Sequence, residues 1–237
     1  MHQRPIYRMF ETVVRCVTDI TPHMRRITLH GDSLADFESD RPGQWVKLFF
    51  DETETGRAFT IRQWRRDARE IDLDFVRHEG GIAGTWIATA KPGLAVRLAG
   101  PRSDFRHDPD RMLFLFGDET AIPAISSIVE SLPPEARAVV VVEVEDNTAI
   151  QDIESAAQVN WSWIIARGGR SGRHLSAYAR HLAIGPENAQ VWIACECSAA
   201  REMRCEFGRM GFDKTTLHAS GYWKMGAIEH VDCDSDY

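Results

Sequence analysis

Arg57-Ala58-Phe59-Thr60-Ile61-Arg62 sets an arginine two residues before an aromatic ring and three before a hydroxyl. On a strand, Arg57 and Phe59 share one face while Ala58 and Thr60 share the other. A guanidinium can grip a diphosphate in a bidentate fork, and the ring can stack on a flat heterocycle that Thr60 reaches with its hydroxyl. The same residues also read as an ordinary amphipathic strand with solvated arginines. His78-Glu79-Gly80-Gly81-Ile82-Ala83-Gly84-Thr85-Trp86 is a glycine-rich turn opening a helix. Such a turn aims unpaired N–H groups at an anion, with Thr85 as a further donor, although a plain loop fits equally.

Gly117-Asp118-Glu119-Thr120-Ala121-Ile122-Pro123-Ala124-Ile125 lies where an apolar strand feeds a helix, the turn at which doubly wound sheets bind ligands. It lacks the three-glycine dinucleotide fingerprint, and Asp118 or Thr120 would also serve as a helix cap. Ala194-Cys195-Glu196 ends a later strand, and Arg201 and Arg204 follow it. Cys195 and Cys197 have no second Cys or His pair at zinc-ligand spacing. In His218–Gly226, Tyr222 and Trp223 suit either a core plug or a cover over a flat ring.

The elements that position these groups change character along the chain. Residues 10–17, 24–30, 45–50, 58–64, 70–77 and 94–99 are short runs rich in β-branched and aromatic residues, broken by turn signals. They predict a six-stranded antiparallel barrel, interrupted by one short helix over Ala83–Ala90. In Ile71–Phe75 the alternation leaves one face for solvent or a ligand. From Met112 the pattern is strand, helix, strand: Met112–Phe116, a helix carrying Ile122 to Leu132, Val139–Val144, Trp161–Ile165, His174–Leu182, Gln190–Ala194 and Ala199–Met210. That alternation predicts a doubly wound α/β domain. The polar, proline-bearing Asp108-Pro109-Asp110 divides the chain into domains 1–108 and 109–237.

With 237 residues, 43% hydrophobic and 27% charged, the chain can bury a sizeable core. A net charge of −7 opposes non-specific nucleic-acid binding. No apolar run has the ~20 residues of a membrane span, and Met1–Pro5 has no apolar core of a signal peptide, so a cytoplasmic location without membrane insertion is expected. Cys16, Cys195, Cys197, Cys205 and Cys233 then read as reduced thiols.

Taken in order, these segments resemble the siderophore-interacting protein family, a branch of the ferredoxin–NADP reductase-like fold, from about Phe10 to Gly226. Arg57–Arg62 matches the family's Arg-x-Tyr-Thr-x-Arg strand with Phe59 for tyrosine. His78, Gly81-Ile82-Ala83 and Trp86 match its helix-opening turn, with Ile82 for proline and Gly84 for serine. Gly117–Ile125 is close to verbatim, and Ala194-Cys195-Glu196 carries Cys195 for glycine.

The resemblance implies FAD on the barrel, held by Arg57, Phe59, Thr60, Arg62, Asp74, Val76, His78, Ala83, Gly84, Thr85, Trp86, Asp118, Thr120 and Ala121. NADPH, NADH or ferredoxin would supply electrons, with Glu196, Asp118 and Arg167 meeting a nicotinamide donor and the Cys195 thiol hindering its approach. Arg167, Arg170 and Arg173 could meet a 2′-phosphate, or be a solvated basic loop. A ferric siderophore would be the substrate, and many such chelates are anionic. Lys47, Arg102 and Lys224 are the cations expected to dock it, from a set that includes Arg97 and Arg106. A flavin reductase with a non-iron acceptor and a flavin-bearing siderophore-binding protein are the alternatives.

Overall fold

The structure, a computed structural model, describes residues 8–50, 56–78, 80–103, 105–167 and 172–227. It divides into two compact units. The first takes the chain up to Ile20 and Met24–Ser103, and the second takes Thr21–His23 and the chain beyond Ser103.

In the first unit, β1 (Met9–Thr21), β2 (Met24–His30), β3 (Trp45–Phe49), β4 (Arg57–Arg65), β5 (Glu70–Val76) and β6 (Ala95–Arg102) close into a barrel in the order β1-β2-β5-β4-β3-β6. Closure leaves no strand edge to be protected. In β3 the alternation is strict: Val46 and Leu48 are buried inside, while Trp45, Lys47 and Phe49 point outward. Phe10, Ile27, Leu29, Phe37, Ile71, Leu73 and Leu98 fill the interior. Helix α1 (Gly81–Thr89) adds Trp86 and Ile87 to that core.

β5 departs from the expected alternation, because Ile71–Phe75 is buried throughout. Its polar face is covered by arginines. Asp72 accepts from Arg65 Nη1 and Nη2 and from Thr28 Oγ1, each at 2.7 Å. Asp74 accepts from Arg26 Nε at 2.6 Å and Nη2 at 2.7 Å. Burial opposes ionisation of Asp72, but the bonds from Arg65 and Thr28 and the nearby guanidinium charges outweigh it and hold the carboxyl below its ordinary range.

In the second unit, β7 (Met112–Asp118), β8 (Arg137–Val144), β9 (Gln158–Ile165), β10 (Ala189–Glu196) and β11 (Leu217–Trp223) form a parallel sheet in the order β11-β10-β7-β8-β9. Helix α2 (Ile122–Ser131) packs on β7 and β8. Helices α3 (Arg173–Ala179) and α4 (Cys197–Arg209) share a core with Phe116, Val141, Val191 and Ile193. Strand β11 is absent from the sequence reading, since Leu217-His218-Ala219-Ser220-Gly221 has no apolar run to announce it. No helix among the described residues is long and apolar enough to cross a membrane.

The Asp72 geometry sets a pH dependence. Its folded-state pKa lies below the unfolded value, so its contribution is present above the unfolded pKa, near 4. That contribution is lost as pH falls through the folded value. Thr28→Val should cost about 1 kcal/mol at neutral pH. In Asp72→Asn the fall of thermal midpoint between about pH 5 and pH 3 should be shallower than in the parent, as followed by circular dichroism.

Candidate functional site

The barrel's chemistry gathers on β4, β5 and α1. Gly80 and Gly81 enter α1 with φ of 81° and 70°, a left-handed backbone that disfavours side chains. No described side chain caps this helix, and a Cβ built on Gly80 meets nothing within 4 Å. An uncapped, glycine-opened first turn is the arrangement that takes a phosphate. Gly84 has the opposite constraint. A Cβ there would lie 2.8 Å from the His78 carbonyl and 2.9 Å from its ring, so His78 packs on the helix only because residue 84 is glycine.

Aromatic rings line the same region. Phe59 lies 4.6 Å from Phe75 and 6.0 Å from Phe50, and Trp86 lies 5.1 Å from Phe50. Phe59 stays partly exposed, which leaves ring surface for a flat ligand. The Trp86 Nε1–H is buried with no partner in the structure, as is that of Trp64. An unsatisfied buried donor costs about 1–3 kcal/mol, which an incoming acceptor would recover. Arg57 is half-buried at the start of β4, and Thr60 is buried opposite Trp45. These residues fit a flat cofactor with a diphosphate.

Other expected cofactor residues make contacts within the barrel unit. The Thr85 hydroxyl donates to the Gly81 carbonyl at 2.9 Å, so its proton serves the helix. Both Asp74 oxygens are on Arg26, with Arg62 Nε 3.9 Å away. Val76 ends β5 opposite Met24, and Ala83 packs against the barrel core. Lys47 sits outward on β3 beside Trp45, and the Arg102 guanidinium stacks over the Trp45 ring at 5.1 Å.

In the second unit, buried carboxylates fill the carboxyl edge of the sheet. Asp118, 1% exposed, accepts from Thr120 N at 2.9 Å, Thr120 Oγ1 at 2.5 Å, Glu196 N at 3.1 Å and Trp223 Nε1 at 2.7 Å. It therefore ties the ends of β7, β10 and β11 together. Ala121 is fully buried against Gly117. Asp118, Thr120 and Ala121 were expected on the cofactor; Asp118 and Ala121 are buried, and the half-buried Thr120 donates its hydroxyl to Asp118. Glu196 caps α4 through Ser198 N at 2.6 Å and Ala199 N at 3.2 Å, and accepts from Met225 N at 3.2 Å. Its expected place against a nicotinamide is taken by these bonds.

Glu143 does the same for α3, accepting from Gly172 N at 2.9 Å and His174 N at 3.2 Å. Sequence reasoning passed over Glu143, although a charge inside Val141-Val142-Glu143-Val144 was a signal. The backbone donors that such a sheet offers to a dinucleotide diphosphate are thus engaged by the chain's own carboxylates. Arg167 and Lys224 are exposed beyond β9 and β11, while Arg170 lies outside the described residues. Arg173 opens α3.

Cys195 was expected to stand in the way of a nicotinamide. Its thiol is instead fully buried in the core beside Ala199 and Met203. Burial and the charges of Asp118, Glu196 and Glu143 push this thiol well up. Cys16 and Cys205 are exposed. Iodoacetamide on the folded protein at pH 8 should label Cys16 and Cys205 and leave Cys195 unmodified, as read by peptide mass spectrometry. Labelling of Cys195 at a comparable rate would contradict this burial.

Comparison with known proteins follows the same division. The model of the siderophore-interacting FAD-binding domain matches residues 12–56 and 51–105, and that of siderophore-interacting protein matches residues 110–226. Ferric vibriobactin reductase ViuB of Vibrio cholerae is 29% identical over 92% of this chain and 93% of its own. An uncharacterized protein of Mycobacterium tuberculosis is 32% identical over 98% of this chain and 94% of its own. The crystal structure of the siderophore-interacting protein SipS from Aeromonas hydrophila superposes with a TM-score of 0.83 at 29% identity, covering 94% of each chain. With both units matched in order and its barrel carrying the FAD-binding domain, the chain belongs to the siderophore-interacting protein family.

Proposed function

We propose that this protein is an FAD-dependent reductase of ferric siderophores, acting in the cytoplasm. The observation that carries the reading is the uncapped, glycine-opened first turn of α1 beside the partly exposed Phe59 and the orphaned Trp86 N–H. It is supported by end-to-end similarity to a protein named as a ferric vibriobactin reductase.

Bound flavin supplies the conversion of a hydride's two electrons into the single electrons that iron accepts. The residues supply the rest. Arg57 and the α1 N–H groups hold the diphosphate, Phe59 offers a stacking face, and the Trp86 N–H donates to the cofactor. Lys47 and the Trp45-stacked Arg102, both on the outside of the barrel, attract an anionic chelate within an acidic protein. Lys224 is the candidate cation on the second unit. Hard oxygen ligands hold Fe(III) and lose their grip on the softer Fe(II), so electron delivery itself releases the metal. The donor in this reading is NADPH or NADH. Because Asp118, Glu143 and Glu196 fill the strand-end turns, dinucleotide recognition rests on side chains such as Arg167 and is weak.

The purified protein should be yellow, with about one FAD per chain. Stopped-flow mixing with NADPH or NADH and then a ferric siderophore should show flavin bleaching followed by reoxidation and Fe(II) release. Half-saturation by either nucleotide is expected near 1 mM or weaker, equivalent to about 4 kcal/mol. Bleaching only with a reduced ferredoxin would replace the donor, and a bleached flavin that never passes electrons to iron would remove the reductase assignment. Arg57→Ala should lower FAD affinity about 10- to 150-fold, the effect of a charged hydrogen bond. Lys47→Ala should raise KM for an anionic ferric siderophore at unchanged flavin content, and the difference should shrink as salt rises. Unchanged kinetics at low salt would return Lys47 to an ordinary surface role.

A further inference from the structure

The turn Thr21–His23 groups with the second unit, and there His23 stands among three carboxylates. Its Nδ1 lies 3.7 Å from Glu119 Oε2 and 3.8 Å from Glu145 Oε2, while its Nε2 lies 3.4 Å from Asp146 Oδ2. One donor atom each from His23, Glu119 and Glu145 fall within 4.8 Å of one another. Two of these carboxylates are oriented by backbone donors. Glu119 Oε1 accepts from Glu145 N at 2.7 Å, which leaves Oε2 toward the imidazole. Asp146 Oδ1 accepts from Thr148 N at 2.7 Å and Thr148 Oγ1 at 2.6 Å, which leaves Oδ2 for the His23 ring.

With Nε2 directed at Asp146, Nδ1 faces two carboxylate oxygens. One of them belongs to Glu119, which is 1% exposed. One imidazole nitrogen and two carboxylate oxygens converging on one point are a donor set for a cation. Ligands at about 2.1 Å around one tetrahedral ion stand about 3.4 Å apart, and His23 Nδ1 is within a few tenths of an ångström of that separation from each oxygen.

We propose that His23 Nδ1, Glu119 and Glu145 bind one first-row divalent cation, with Asp146 as the positioning residue that orients the imidazole. One nitrogen and two carboxylate oxygens suit Mn(II), Fe(II) or Zn(II). Fe(II) is the ion that the proposed reduction would release; that identification rests on the reductase reading, whereas the site does not.

The FAD-loaded, chelator-stripped full chain should be titrated with Mn(II) and followed by loss of the free-ion electron paramagnetic resonance signal. Mn(II) avoids the exposed thiols, which prefer softer metals. One ion per chain is expected. Asp146→Asn should weaken binding about 10- to 100-fold, as loss of a carboxylate behind a metal-bound histidine does. Glu145→Gln, at a half-exposed position that leaves the core intact, should weaken it at least as much. Binding that is absent from the parent, or unchanged in both variants, overturns the proposal. Flavin content and siderophore reduction, measured on the same samples, report separately on the reductase reading.

Discussion

The second unit is organised by one constraint: backbone donors at the carboxyl edge of a parallel sheet must be satisfied, and here the chain satisfies them with its own acids. Asp118, Glu143 and Glu196 are nearly or fully buried and accept from the backbone of the elements that follow them. A buried carboxylate is tolerable only when it is fully hydrogen-bonded. Asp118 meets that demand by joining three strand ends, so the position of β11 depends on it. The fold gains a rigid edge at the place where related architectures seat a dinucleotide.

The barrel solves the opposite problem. Its buried acids, Asp72 and Asp74, sit on the outer face of β5 and are neutralised by Arg65 and Arg26 from neighbouring strands. That pairing leaves the first turn of α1 without a described carboxylate of its own. The two units thus differ at their helix N-termini, which take negative charge: α4 is capped by Glu196, whereas α1 has no side-chain cap.

Much of this architecture was legible in the sequence because it rests on periodicity. The six barrel strands and the strand–helix alternation after Met112 follow from apolar spacing alone. β11 was not legible, since a strand held by β10 and by the Trp223–Asp118 bond needs no apolar run of its own. Side-chain direction was the harder part. Asp118 and Glu196 sit in the expected turns, and their short-range capping bonds were readable there, but the Trp223 donor to Asp118 lies 105 residues away and spacing carries no sign of it. Gly84 shows the same limit from the other side. Its missing side chain reflects the nearness of His78, a contact no local motif encodes.

The suppressed acidity of Cys195 comes first from its burial and then from the charges of Asp118, Glu196 and Glu143, and it has a chemical consequence. Thiolate is the form that captures soft metal ions and that peroxide oxidises, and a thiol held in its protonated form offers neither reaction. Under an added oxidant, modification is therefore expected to begin at the exposed Cys16 and Cys205 before it reaches Cys195, whose thiol lies between β10 and α4.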